Sequence, residues 1–464
     1  MPVLSATSTA GRAARKTSES LSPAEQRFLA VTGTVVVVGY VMLFVWAMGA
    51  LSYDVWGALL LAPVLVLITV PLLLRAGRRE RDPWVTKVVI LALLTKLAST
   101  LVRYAIAFEV YQGSADASGY HGAGRRLAEA FWAGNYAEVY AQEAHELVGT
   151  EFIRVLTGWL YIGTGPTKLG GFLVFSWLGF WGLYFSFKAF RLAFPEGDHR
   201  RYALLVFFLP SLLFWPSSLG KEAWMMFTIG MALYGAARIL TRTSYGYLLF
   251  ALGLTGTALV RPHITLLLFV SLLGAFLLRR NTGPRSAFGG LGKLAGLVVL
   301  LVGGTVVLGQ VSDFFNLEDV DSESVELVLD RTEGQSATGD SEFTATRPDS
   351  LVGVPGAAVG VLFRPFPWEA GNAQAFVASL EGAVLVVVAL LSIRRLAALP
   401  RWLVRRPYVA MALIYTFAFA FAFAAVGNFG ILARQRVQVL PLALVLLALP
   451  AVPGSAATRE PREP

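Results

Sequence analysis

Five short stretches of this 464-residue chain set ionisable side chains against the ends of apolar runs, where membrane topology gives no reason to keep them. Asp116, Tyr120 and His121 follow the third such run. Lys221 and Glu222 follow Trp215-Pro216-Ser217-Ser218-Leu219-Gly220, and Arg261 and His263 flank Pro262. Arg364 and Glu369 bound Pro365-Phe366-Pro367-Trp368, while Asn428 precedes Arg434 and Arg436. A carboxylate such as Asp116 can take the proton of an acceptor hydroxyl as a general base. Arginine forks with a lysine point charge suit a phosphate or pyrophosphate, and Arg261, Arg364, Arg434, Arg436 and Lys221 make up such a set. A helix starting near Lys221 would offer its free N–H groups to the same anion. Tyr120, His121, Glu222, His263, Glu369 and Asn428 are assigned to substrate contact around them. Each residue also has a plainer reading: Asp116 as the N-cap of a helix starting near Ser118, any single arginine as a snorkelling or ion-paired side chain. Glu109 and His121 stand as alternative bases or metal ligands; no metal ligand set is assigned, and a divalent cofactor is left open.

The elements that must position these residues are membrane helices. With 56% apolar and 15% charged residues and a mean hydropathy of +0.62, the chain cannot cover its apolar surface with a polar skin in water. The expected fold is an all-α polytopic bundle of about twelve spans. They fall at 28–51, 56–74, 88–108, 170–187, 203–219, 222–237, 246–260, 264–278, 294–309, 375–393, 408–426 and 437–452. Arg12, Arg15, Lys16 and Arg27 precede the first, whose apolar run is about twice a signal-peptide core, so it is read as a retained helix. The chain has no cysteine, which removes disulfides and thiolate metal sites.

The net charge of +9 follows from orientation rather than from binding nucleic acid. With the N-terminus in the cytoplasm, 26 of the 39 basic residues fall in inner segments and 11 in outer ones. Lys96 and Arg103 lie within the third span. This alternation requires 151–165 to be a re-entrant or surface-lying helix. It puts both termini in the cytoplasm, the protein in the plasma membrane, and all five clusters on the far face. Residues 1–24 and 453–464 read as disordered cytoplasmic tails around a transmembrane domain at 25–452. Two long external segments interrupt that domain: 109–169, with amphipathic helices, and 310–374. The second carries eleven acidic residues between Asp313 and Asp349, a solvated linker in its bland reading and a lid in its functional one. It then runs into a Pro-broken, re-entrant stretch at 351–369. An anionic substrate on that face is most naturally a lipid phosphate presented by the bilayer, and other envelope-synthesis proteins are natural partners.

The stretch Asp116-x-x-x-Tyr120-His121-x-Ala123, with Leu127-Ala128 and Gly134 after it, resembles the first external loop of the GT-C membrane glycosyltransferases. That class includes the dolichyl-phosphate-mannose protein mannosyltransferases and their bacterial relatives. The resemblance implies a polyprenyl-phosphate-linked sugar donor and Asp116 as catalytic base, with Tyr120 and His121 lining the site. The chain lacks the acidic doublet beside that aspartate and the Pro-Pro pair further along the loop, so acceptor and metal stay open. External arginines at Arg261, Arg364, Arg434 and Arg436 are also similar to those of O-antigen-type polysaccharide polymerases, which implies transfer between polyprenyl-pyrophosphate carriers. A transporter or flippase is the reading from another class. It would rest on Lys96 and Arg103 within the membrane and on Gly/Pro-broken helices.

Overall fold

The computed structural model describes residues 22–80, 82–110, 112, 116–143, 145–279, 303–305, 308–309, 343 and 351–450. No β-strand lies among them, and the chain is helical. Its helices are α1 (Pro23–Ala50), α2 (Tyr53–Glu80), α3 (Pro83–Ala105), α4 (Asp116–Ala133), α5 (Tyr136–Glu143), α6 (Thr150–Thr164), α7 (Lys168–Ala193), α8 (His199–Phe208), α9 (Pro210–Phe214), α10 (Lys221–Leu240), α11 (Gly246–Ala258) and α12 (Pro262–Leu278). After the acidic segment come α13 (Val354–Phe363), α14 (Ala373–Leu391), α15 (Ile393–Leu396), α16 (Leu399–Arg405), α17 (Pro407–Phe423), α18 (Phe429–Arg436) and α19 (Leu440–Leu447).

Six of the described helices are long and apolar enough to cross a membrane: α1, α2, α3 with the π-turn that follows it, α7, α10 and α14. Counting α16–α17, bent by 117°, and α18–α19, bent by 70°, as one span each brings the number to eight. The expectation of twelve exceeds this for physical reasons. Residues 203–219 do not form one helix, because Pro210 and Pro216 interrupt it. Helix α11 has 13 residues and α12 has 17, both below the length an upright span requires. Most of 294–309, the tails and most of the acidic segment lie outside the described residues. The stretch 151–165 is α6, a helix of 15 residues packed along α4.

Helix α10 sits at the centre, and glycines set its neighbours. A Cβ on Gly182 of α7 would lie 2.1 Å from the Met226 carbonyl oxygen, and one on Gly230 would lie 2.0 Å from that of Gly182. On the other side, Gly253 of α11 meets the Ala232 backbone nitrogen at 2.5 Å and Gly235 meets that of Phe250 at 2.3 Å. Close backbone approach of this kind is how helices gain dispersion energy where no hydrophobic drive operates. It fixes the end of α10 that carries Lys221 and Glu222.

The broken stretch before α10 is braced from within. In a continuous helix the Leu212 carbonyl would accept from the N–H of residue 216, but that residue is Pro216 and has none. The buried Lys96 ammonium replaces the missing donor, reaching Leu212 O at 2.8 Å and Leu213 O at 3.0 Å. Ser99 donates to the same Leu213 carbonyl at 2.8 Å, and Ser176 binds Ser217 at 3.1 Å. Lys96 is therefore held to backbone carbonyls, and the Arg103 guanidinium lies over the Phe214 and Trp215 rings.

Candidate functional site

Four of the five sequence clusters meet at the mouth of α10. Gly220 ends the broken stretch, so Lys221 and Glu222 open the first turn of a 20-residue helix and keep its unpaired N–H groups beside them. Arg261 is the residue before Pro262, which starts α12 and forces the preceding backbone out of helical geometry. Arg434 lies on the second turn of α18, whose start is capped by the Asn428 side chain accepting from Gly430 N at 2.9 Å and Ile431 N at 3.1 Å. Asp116 is the first residue of α4.

Glu222 is the hub. Its Oε1 accepts from Arg434 Nε at 2.7 Å and from Arg261 Nη2 at 3.1 Å, and its Oε2 accepts from Arg434 Nη2 at 3.0 Å. Arg434 Nη2 also donates to Asp116 Oδ2 at 2.8 Å. The two carboxylates differ in depth: the Glu222 side chain is 3% exposed and that of Asp116 is 58% exposed. Removing one member of a buried pair costs about 3–5 kcal/mol, whereas an exposed pair contributes about 0–1 kcal/mol. The Arg434–Glu222–Arg261 triad is thus fixed and the Arg434–Asp116 bond is exchangeable.

Lys221 sits beside Arg261, Glu222, Arg434 and Asp116 but makes no salt bridge within 4 Å among the described residues. Among the described residues the mouth therefore holds three cations and two carboxylates. Arg261 Nη1 is also buried without a hydrogen-bond partner among the described residues. Tyr120 closes the site from α4: its ring lies 3.4 Å from where a Cβ on Gly220 would be. Burial, helped by the Asp116 and Glu222 charges, pushes its phenol up to about 12, so it is a neutral hydroxyl at physiological pH.

The remaining candidates stand elsewhere. Arg364 is paired with Glu369 through Nε at 2.9 and 3.1 Å, and its Nη2 lies 2.7 Å from the same carboxylate. Its guanidinium covers the Phe343 ring, 4.3 Å from the centroid, and that ring stacks on Phe429 at 4.0 Å. The cleft beside it, about 250 Å³ with Ala357, Gly360 and Leu432 among its walls, is apolar apart from this paired arginine. Arg436, two residues from Arg434, points the other way and is 1% exposed. Its Nη1 donates to Leu362 O at 2.9 Å and Arg364 O at 3.0 Å, and its Nη2 faces Glu381 at 3.9 Å. Those two bonds tie α18 to the Pro-broken backbone at the end of α13. His263 is half-buried and packs against Phe423.

His121 belongs to a separate group one side of α4 away. Its Nδ1 shares a hydrogen bond with the Tyr161 hydroxyl at 2.9 Å, and its Nε2 lies 3.4 Å from Asp54. Asp54 also faces Lys168 at 3.5 Å. Burial lowers the imidazole pKa below its ordinary value, with Asp54 opposing and Lys168 reinforcing the shift, so the ring is neutral at pH 7. Sequence reasoning passed over Asp54, Tyr161 and Lys168. The available signal was an acid at the start of the second span and a base at the start of the fourth. It also passed over Glu381, an ionisable residue inside an apolar run, which accepts from both the backbone N–H and the hydroxyl of Ser211. Among the described residues no group of three His, Asp or Glu side chains is gathered to hold a metal ion.

In comparisons with known proteins, no family model, no curated protein and no solved structure matches the chain.

Proposed function

We propose that this protein is a membrane glycosyltransferase whose active face is extracytoplasmic and whose donor is a polyprenyl-phosphate-linked sugar, used for envelope polysaccharide or glycoconjugate synthesis. Both termini lie in the cytoplasm in this reading. The observation that carries it is the charge balance at the α10 mouth: among the described residues Lys221 has no salt-bridge partner, next to the free N–H groups of a long helix and two arginines held by one buried glutamate. Such a mouth takes one anionic group, and an apolar helical protein meets anions chiefly as lipid headgroups.

The chemistry runs on this chain's own residues. Asp116 takes the proton of the acceptor hydroxyl as that oxygen forms its bond to the anomeric carbon. The bond from that carbon to the phosphate oxygen breaks, and the polyprenyl phosphate leaves with the electron pair. Lys221, Arg434 and Arg261 stabilise the charge gathering on the phosphate, the group whose charge changes most in the transition state. Tyr120, with its proton retained, offers a donor to the substrate beside Gly220.

The transporter reading draws on the broken helix and the lysine within the third span. The Lys96 ammonium, however, is already matched to the Leu212 carbonyl, which Pro216 leaves without a donor, and to the Leu213 carbonyl beside it, so it acts as a brace. The experiment is binding and turnover of a polyprenyl-phosphate sugar by the purified chain. Arg434→Ala weakens donor binding, whereas Asp116→Asn binds donor and transfers nothing. Donor binding that is unchanged in Arg434→Ala removes the proposed site.

A further inference from the structure

Arg434 serves two carboxylates with one nitrogen. Its Nη2 donates to Glu222 Oε2 at 3.0 Å and to Asp116 Oδ2 at 2.8 Å, while its Nε is committed to Glu222 Oε1. Glu222 cannot leave: it is buried, opens the helix that α7 and α11 grip through glycines, and holds Arg261 as well. Asp116 can leave, since its side chain is 58% exposed and its one salt-bridge partner among the described residues is Arg434, itself 31% exposed. An anion arriving at Lys221 meets the outward side of Arg434 where Asp116 now sits. A phosphate offers that N–H the same kind of acceptor oxygen and adds a contact to Lys221, which Asp116 does not make within 4 Å.

We propose that Asp116 and the phosphate of the ligand compete for Arg434, so that ligand binding releases the Asp116 carboxylate, while Glu222 stays in place as the residue that positions Arg434 and Arg261. This rests on the reading of the mouth as a phosphate site and adds an order of events to it. In the empty protein the base is tied to an arginine, and only a bound donor frees it to accept the acceptor's proton.

The same chemistry is offered by a lipid phosphate or by free phosphate, so both serve as probes. The test is equilibrium binding of a polyprenyl monophosphate, and separately of inorganic phosphate, to the full-length chain in detergent. Competition predicts that Asp116→Asn binds about fivefold more tightly than wild type, whereas Glu222→Gln binds at least tenfold more weakly. Removing any negative charge nearby would tighten an anion somewhat, so the deciding measurement is a double-mutant cycle. In an Arg434→Gln background the Asp116→Asn gain disappears if the two compete for Arg434, and persists if only the bulk field has changed. In Arg434→Gln the buried Glu222 keeps Arg261 as its partner, and both arms of this comparison are read on protein whose melting temperature in detergent shows that it is folded. Glu129→Gln, on the outer face of α4 and paired with Arg125, leaves binding unchanged.

Weaker or equal binding in Asp116→Asn, or a gain that survives in Arg434→Gln, overturns the competition while leaving the phosphate site standing. A folded wild type that binds neither probe, with Asp116→Asn equally inert, overturns the site reading and this inference with it. A gain for the lipid phosphate alone upholds the competition and assigns the ligand to the bilayer; a gain for both upholds it and admits free phosphate.

Discussion

Arg434 and Arg436 stand two residues apart on one short helix, yet they belong to opposite kinds of site. Among the described residues around Arg434, three cations face two carboxylates, Lys221 makes no salt bridge, and the outer carboxylate is exposed. Around Arg436 and Arg364, two arginines face Glu381 and Glu369, and Arg436 Nη1 goes to two carbonyls of the Pro-broken backbone. Among the described residues the first region is short of one negative charge, whereas the charges of the second balance. The number of arginines at a membrane boundary therefore says little about anion binding. What matters is whether their counter-ions are already in place and which of those can move.

The largest effect that would sharpen this contrast is at Glu222. Glu222→Ala strands the buried Arg261 and the half-buried Arg434 and should destabilise the protein by about 3–5 kcal/mol, read as a lowered melting temperature in detergent, and should also abolish phosphate binding. Next comes Arg436→Met. It leaves the Leu362 and Arg364 carbonyls without their donor and should cost about 3 kcal/mol, while the folded fraction binds a polyprenyl phosphate as wild type does. If Arg436→Met changed affinity at unchanged stability, the two regions would not be separable. Lys221→Met should do the reverse, weakening phosphate affinity about tenfold, or about 1.4 kcal/mol, with stability within about 0.5 kcal/mol.

Two smaller effects come from pH. His121 is held neutral, its pKa lowered by burial among Asp54, Lys168, Tyr161 and Arg125. Its contribution to stability is present above the ordinary value of 6.5 and is lost as pH falls through the lower folded value. The fall in melting temperature on the acid side should therefore be shallower in His121→Gln. Glu369 is the carboxylate counterpart: burial pushes its pKa up, but the Arg364 guanidinium and the Phe366 N–H together outweigh this and hold it below 4.5, so its share is present above pH 4.5 and lost as pH falls through the lower folded value. Being near the surface, that pair should contribute under about 1 kcal/mol, and Glu369→Gln should leave phosphate affinity unchanged.

Much of the helical architecture was legible because long apolar runs have only one use. The spans read at 28–51, 56–74, 88–108, 170–187, 222–237 and 375–393 each coincide with one continuous helix. Hydropathy fails at 203–219 because it sums side chains and ignores whether the backbone can donate; Pro210 and Pro216 were visible, but the compensating Lys96 is more than 110 residues away. The site was legible as a set of residue types at helix ends, and four clusters do converge. Their pairing was not. Arg434 with Glu222 spans 212 residues and Arg434 with Asp116 spans 318, and no local spacing records such contacts. Arg434 and Arg436 looked equivalent for the same reason, since a separation of two places them on different faces of a helix.

The most direct test of the central claim is the affinity of the full-length protein for a polyprenyl monophosphate, measured for wild type, Lys221→Met and Arg364→Gln in one detergent and one buffer. The account predicts that Lys221→Met loses about tenfold, about 1.4 kcal/mol, and that Arg364→Gln binds as wild type does. Loss of binding in Arg364→Gln with Lys221→Met unchanged would put the anion at the Pro-broken corner and contradict the account.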